Sequence, residues 1–160
     1  MTQKKLKILF RTYGGKIKNK QTGLGHIFRC INLSYHLKQH SEIHFLVEDY
    51  GGVKKIINQY GFKKFSSLEK NVTLISDIKK TIQYINKNKI DVLIIDKHKT
   101  NTKYLKELKN FVKTVIISDL TNVNLPVDIL VNGYIGLENR KYKNKYDSLC
   151  LVGPSYQTPF

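Results

Sequence analysis

The chemistry-bearing stretch of this chain is QTGLGHIFRCINL, residues 21–33: two glycines, then a histidine, then an apolar-periodic run. Glycine at 23 and 25 permits positive φ and removes side chains, so a ligand can approach the backbone closely. The periodicity of Ile27, Ile31, Ser34 and Leu37, with Cys30 beside them and Phe28 and Leu33 widening the stripe, predicts an amphipathic helix over Ile27–Lys38. His26 then sits at the helix start, where free amides and the positive dipole end favour an anion or developing negative charge. That field and Arg29, one turn on, both disfavour the imidazolium, so a neutral imidazole able to accept a proton is the expected form. A residue of that kind facing a crevice is a general base for water or a hydroxyl. The competing reading is a helix-capping histidine packed on a neighbouring loop.

Other chemistries fit the residues less well. The dinucleotide fingerprint G-x-G-x-x-G would need glycine where Phe28 stands, and a tighter approach from the preceding strand. Gly14-Gly15-Lys16 lacks the earlier glycine and the following Ser or Thr of a phosphate-binding P-loop. His36 and His40 have the i, i+4 spacing of metal ligands, but no glutamate follows His36 and no third ligand is near, so exposure on the polar side is expected and no metal is assigned. No cofactor is implied.

The elements that must position His26 are legible as short Ile/Val/Leu runs: Leu6 to Arg11, Ile43 to Glu48, Asp91 to Lys97, Thr114 to Asp119, Asp128 to Asn132 and a last one over Ser148 to Gly153. Near-continuous apolar runs suit strands covered on both faces. Helical patterns alternate with them over Ile27 to Lys38, Val53 to Tyr60, Ser76 to Asn88 and Asn101 to Lys109, with Gly51-Gly52 and Gly61 marking turns. The alternation predicts an α/β, doubly wound, mostly parallel Rossmann-like sheet with right-handed crossovers. Ligands of such sheets bind beyond the carboxyl ends of the strands, which directs attention to Arg11 to His26, Glu48-Asp49, Asp96 to His98, Asp119 to Asn122 and Asn132 to Tyr134. His44 falls within a strand.

Composition sets the outer limits. With 160 residues, 41% hydrophobic and 11% aromatic, the chain can bury the core of one domain. Its formal net charge is +16, from 28 Lys and Arg against 12 Asp and Glu. A basic surface can attract nucleic acid or an anionic membrane. Here lysine is spread along the whole chain with abundant Asn and Ile, a compositional bias that argues against a nucleic-acid role. The densest cluster, Arg140-Lys141-Lys143-Lys145, reads as a solvated loop. Cys30 and Cys150 form no spaced set and read as buried free thiols. Leu6 to Phe10, interrupted by Lys7, is too short for a signal or a transmembrane segment, so cytoplasm is the default location. After Gly153 the chain runs through Pro154 and Tyr156 to Pro159-Phe160 and reads as ending mid-course.

The stretch from Phe10-Arg11 to GLGHIFRCINLSYHL resembles the opening of the UDP-2,4-diacetamido-2,4,6-trideoxy-β-L-altropyranose hydrolases of the pseudaminic acid pathway and the related spore-coat polysaccharide proteins. Their pattern, an F-R strand end followed by G-x-G-H-v-x-R-c-x-x-L, falls on Phe10, Arg11, Gly23, Gly25, His26, Arg29, Cys30 and Leu33. Further matches follow in order: an I-I-D strand end at Asp96, an aspartate after the next strand at Asp119, a c-D-i-l-l-N strand at Val127 to Asn132, and G-P-x-Y at Gly153, Pro154 and Tyr156. The resemblance implies the N-terminal half of a GT-B-like enzyme, residues 1–160 forming one Rossmann-like domain whose C-terminal, uridine- and diphosphate-binding half lies elsewhere or on a partner subunit. It implies a nucleotide-sugar substrate, metal-independent release of UDP, His26 as the catalytic base, and a sugar subsite drawn from Gly23, Gly25, Arg29, Asp96, His98, Asp119 and Tyr156.

This chain departs from the pattern at two places in that subsite. Thr12-Tyr13 stand where the family has a small residue and then Asp, and His98 replaces the tyrosine of D-x-Y. Three functions fit these residues: a nucleotide-sugar hydrolase, the acceptor-side domain of a GT-B glycosyltransferase in which His26 deprotonates a hydroxyl, and a non-catalytic half that pairs with a nucleotide-binding subunit. An isolated half is expected to turn over little substrate, because the leaving diphosphate has no pocket to hold its charge. An exposed apolar face around Tyr134, Tyr156 and Phe160 is expected where a second half would pack. Asp96 and Asp119 have a simpler alternative role as caps of the following helix or turn.

Overall fold

A computed structural model describes residues 4–17, 20–98, 100–119, 124–135 and 144–157. Seven parallel strands form one sheet: β1 (Leu6–Ile17), β3 (Ser41–Asp49), β4 (Phe65–Leu68), β5 (Val92–Asp96), β6 (Lys113–Ile117), β7 (Ile129–Asn132) and β8 (Leu149–Val152). Their spatial order is β4-β3-β1-β5-β6-β7-β8. Helices α1 (Leu24–Leu37) and α2 (Val53–Gln59) pack Ile27, Ile31, Val53 and Ile57 on one face with Phe10 and Phe45. Helices α3 (Leu74–Asn88) and α4 (Thr102–Lys109) pack Ile85, Leu105 and Leu108 on the other with Leu9, Leu93 and Ile95. The result is the doubly wound α/β fold that the alternating pattern predicts. Each fully buried Ile, Leu or Phe contributes about 1.5–3 kcal/mol of apolar transfer, so two-sided burial of β1, β3 and β5 is what fixes their register.

The chain winds outward from β1 in both directions, through β3 and β4 on one side and β5 onward on the other. The reversal lies between β1 and β5, which pair in parallel from Ile8 with Val92 to Thr12 with Asp96. In such a sheet the crevice opens where the winding direction switches. The residues that follow β1 and end β5 are therefore the ones this topology brings together.

Two strands differ from the expected set. Phe65–Leu68, FSSL, is β4, an edge strand paired in parallel with β3; its two serines hide it from an apolar-run reading. β1 continues past Arg11 through Gly14-Gly15 to Ile17 and turns back as β2 (Lys20–Thr22), which pairs antiparallel with it. Glycine is required there by close approach. A Cβ on Gly14 would lie 2.7 Å from Ile27, and one on Gly15 would lie 2.5 Å from the Gly51 nitrogen. The same hairpin is tied to the turn after β3 by Tyr50 N–H to Gly14 O at 2.8 Å and Lys16 N–H to Gly51 O at 3.0 Å.

His36, on the polar side of α1, and His40, in the turn after it, are both exposed, and His44 is buried in β3. Both cysteines are free: Cys30 is buried as expected, whereas Cys150, on β8 near the edge, is only half-buried. Tyr134 and Tyr156 are exposed, in line with the expected apolar face; Phe160 and the basic residues Arg140, Lys141 and Lys143 lie outside the described residues. No helix among the described residues is long and apolar enough to cross a membrane.

Candidate active site

α1 begins at Leu24, three residues earlier than the apolar periodicity suggests, because Gly23 in the left-handed region (φ 64) serves as its N-cap. Gly23 needs to be glycine for the fold: a Cβ there would meet the Tyr13 ring and carbonyl at 2.8 Å. Gly25 is different, since a Cβ on it would meet nothing within 4 Å. Of the two glycines, Gly25 is the one that leaves open space beside the first turn. No side chain caps the turn's amides, so the positive end of a 14-residue helix faces the crevice beside His26.

The imidazole of His26 is tied to β5. Its Nδ1 lies 2.7 Å from Oδ1 of Asp96, whose side chain is fully buried. Burial alone would raise the Asp96 carboxyl, but hydrogen bonds from Arg29 and then from His26 reverse this and hold it below the ordinary carboxylate range. The ionised carboxylate only accepts, so Nδ1 carries the proton and donates it. Nε2 is then the basic nitrogen, and it makes no hydrogen bond with the described residues. His26 retains 15% side-chain exposure and borders two hollows at the strand ends, one of about 340 Å³ and one of about 280 Å³. Counting only the helix end and Arg29 as neighbours overlooks this carboxylate, which sequence places 70 residues away.

Arg29 is the hub of the arrangement. Its Nε and Nη2 donate to Asp96 at 2.8 and 2.6 Å, and its Nη1 and Nη2 donate to Asp119 at 2.7 and 3.0 Å. Burial opposes the guanidinium's charge, but the two carboxylates more than offset it and raise its pKa further. Bidentate engagement of this kind fixes geometry as well as charge. Cys30 adds a weak Sγ donor to Asp96 Oδ2 at 3.6 Å, and burial pushes its thiol well above the ordinary pKa, so it remains a protonated donor. Asp96 does not cap the helix that follows β5; Asn101 does, accepting from Tyr104 N–H at 2.8 Å, and the turn that Asp119 would cap lies outside the described residues.

Three rings stand around the opening. The centroids of His26 and His98 are 4.9 Å apart, those of His26 and Tyr13 4.9 Å, and those of Tyr13 and His98 5.3 Å. Tyr13 and His98 thus form one wall beside the imidazole. Tyr13 is pushed above the usual phenol range by burial and by the Asp96 charge, so it stays a neutral hydroxyl. Tyr156 does not reach His26. It borders a neighbouring hollow with Asn132 and Gly133 that shares Arg29 and Asp119 with the first.

A second charged cluster lies deeper, on the α3–α4 face of the sheet, and the motif reading did not anticipate it. Arg11 Nε and Nη2 donate to Asp77 of α3 at 2.9 and 2.7 Å, and Lys97 Nζ donates to the same carboxylate. Thr81 Oγ1 at 3.0 Å and Tyr104 Oη at 3.2 Å complete the acceptor's shell. Burial would raise Asp77, yet Arg11 and Lys97 bring it down to about 2. Glu48 stands 3.8 Å from Arg11 and accepts from Tyr50 Oη at 2.7 Å. A lone arginine in the apolar run LKILFR is the sequence signal that a buried counter-ion must exist, although not which one.

The crevice therefore holds an oriented imidazole with one nitrogen open to it, a helix N-terminus and an exposed carboxylate. Among the described residues no group of His, Cys, Asp and Glu could hold a metal ion. No family model and no curated protein matches this chain in sequence comparison.

Proposed function

We propose that this domain is the sugar-side, water-activating half of a nucleotide-sugar hydrolase, acting on a UDP-linked diacetamido-trideoxyhexose in surface polysaccharide biosynthesis. The observation that carries the reading is the 2.7 Å contact of His26 Nδ1 with buried Asp96. Asp96 fixes the tautomer, so Nε2 takes a proton from water as the water oxygen attacks the anomeric carbon. The bond from that carbon to the diphosphate oxygen breaks, and UDP departs with the bonding electron pair. The imidazolium, stabilised by Asp96, then returns its proton to solvent. Products are the free sugar, UDP and one proton.

The charges support a division of labour. Among the described residues, the cations bordering the His26 hollows, Arg29 and Lys97, are engaged by carboxylates. The diphosphate would be held by a second, glycine-rich Rossmann-like half or partner subunit. The decisive measurement is UDP release by the assembled two-half enzyme. His26→Asn is expected to lower kcat by about a hundredfold or more with nucleotide affinity kept; unchanged turnover removes the base assignment.

The wall formed by Tyr13 and His98 favours one competing reading, in which a second sugar stacks there and His26 deprotonates its hydroxyl in glycosyl transfer. Product analysis separates the two: a free reducing sugar marks hydrolysis, and a new glycosidic bond marks transfer.

A further inference from the structure

Beyond β6 the two faces of the sheet are covered unequally. On the α3–α4 face the core continues from Ile116 to Leu130 of β7, with Cys150 and Val152 of β8 packed against it. On the α1–α2 face the outermost strand residues of the core are Val115 and Ile117 of β6. The register carries that face onward, through Ile129 and Leu149 beside Val115 and through Val131 and Leu151 beside Ile117. These four aliphatic side chains belong to neither core among the described residues; three are half-buried and Leu149 is 58% exposed. Leu33 and Leu37 of α1 wall the other side. They follow Arg29 at i+4 and i+8, and Arg29 reaches Asp119 beyond the end of β6, so this row of the helix faces β6. The outcome is an apolar trough beside α1, floored by the last three strands.

We propose that this trough is a docking site for an amphipathic helix of a binding partner, with aliphatic residues at i, i+3, i+4 and i+7 toward the sheet and acidic residues on its flanks. Parallel strands are covered by helices on both faces, and the four described helices place their buried residues elsewhere, two in each core. Charge selects the acidic partner. At the amino-terminal end of the strands, Lys4 and Lys5 are exposed beside the end of α1, and Lys113 is 80% exposed at the start of β6. Lys109 and Lys113 share the single carboxylate of Asp128 at 3.7 and 3.6 Å, so this rim keeps an excess of positive charge. A helix running antiparallel to the strands, as α1 does, sets the negative end of its dipole and its last acidic residues against these ammoniums. A second copy of the chain would instead bring a further +16 to the same rim. A lipid surface calls for apolar side chains that project, whereas three of these four are recessed. The docking assignment does not depend on the hydrolase reading, and the His26→Asn turnover measurement leaves it untouched.

The test is methyl-detected NMR titration of the chain with a peptide of about five helical turns carrying leucine along one face and glutamate elsewhere. A second peptide of the same composition, with the leucines scattered around the helix, is the control. The one-faced peptide is expected to move the signals of Leu33, Val131, Leu149 and Leu151 and to leave Ile75, 77% exposed on α3, in place. The scattered peptide should bind about tenfold more weakly. Leu149→Lys, at an exposed edge position, should also weaken the one-faced peptide about tenfold; an added lysine attracts glutamate, so the loss reports the apolar contact. Lys113→Glu should weaken it about threefold. Equal binding of the two peptides, movement of Ile75 alongside the trough, or unchanged affinity in Leu149→Lys overturns the inference. A dimer seen by sedimentation and abolished by Leu149→Lys would give the face to a second copy and overturn it as well. Binding to phosphatidylserine vesicles that Leu149→Lys abolishes, without binding of either peptide, would give the face to lipid with the same result.

Discussion

Two arginine–aspartate clusters occupy the carboxyl ends of the same strands and differ in where their last polar atom points. In the Arg11 cluster the shared acceptor is closed off: Asp77 is surrounded by Arg11, Lys97, Thr81 and Tyr104, and both Arg11 and Asp77 are fully buried, with Lys97 the member that borders a hollow. In the Arg29 cluster the chain of contacts runs from buried Asp96 outward in two directions, to the half-open His26 and to the exposed Asp119. The chemistry of the pairs is the same, but only the second delivers oriented polar atoms to a cavity. A buried ion pair is weak evidence for function by itself; the direction in which its network opens is the informative part.

The largest effect should come from breaking the closed cluster. Asp77→Ala leaves two buried cations without their shared acceptor and is expected to cost about 5 kcal/mol of folding stability, read by urea denaturation. A loss under about 1 kcal/mol would remove the distinction between the clusters. Next comes Asp96→Asn, which leaves the imidazole free to adopt the wrong tautomer. In the assembled enzyme kcat should fall by about a thousandfold, roughly 4 kcal/mol in the barrier, with substrate binding kept.

Acid should reveal the closed cluster in the unsubstituted chain. The folded-state pKa of Asp77, about 2, lies below its ordinary 3.8, so the carboxylate's contribution is fully present above about pH 4 and is lost as pH falls through 2. Stability should decline across that window by on the order of 2 kcal/mol from this group, and Asp77→Asn should flatten the decline. The smallest effect belongs to the open end: Asp119→Asn should change the melting free energy by about 0.5 kcal/mol, because its partner is shared and its side chain is exposed. A loss several times larger would make Asp119 part of the framework.

Much of this arrangement is legible in the sequence, for physical reasons that also mark where reading fails. The core strands announce themselves because burial on both faces demands Ile, Val and Leu without interruption. β4 escapes because an edge strand tolerates serine, and β2 because it pairs only with the overhang of β1. His26 stands out by its glycines and its place after the first strand, and Asp96 by closing the I-I-D end of β5. Their pairing does not, since contacts 70 residues apart are set by sheet topology and leave no local spacing. Asp77 is the harder case. In the first turn of α3 it looks like a favourable partner for the helix dipole, and only the buried Arg11 reveals its use.

The overhanging hairpin of β1 and β2 has a bearing on how such a pocket can change. Gly15 and Gly51 lie so close that neither could gain a side chain without prising the rim from the turn beneath it. The rim next to Tyr13 is thus braced from below, and a new ligand shape has to be met by exchanging the ring at position 13 rather than by bending the wall. Diversification of this wall is channelled into one aromatic position.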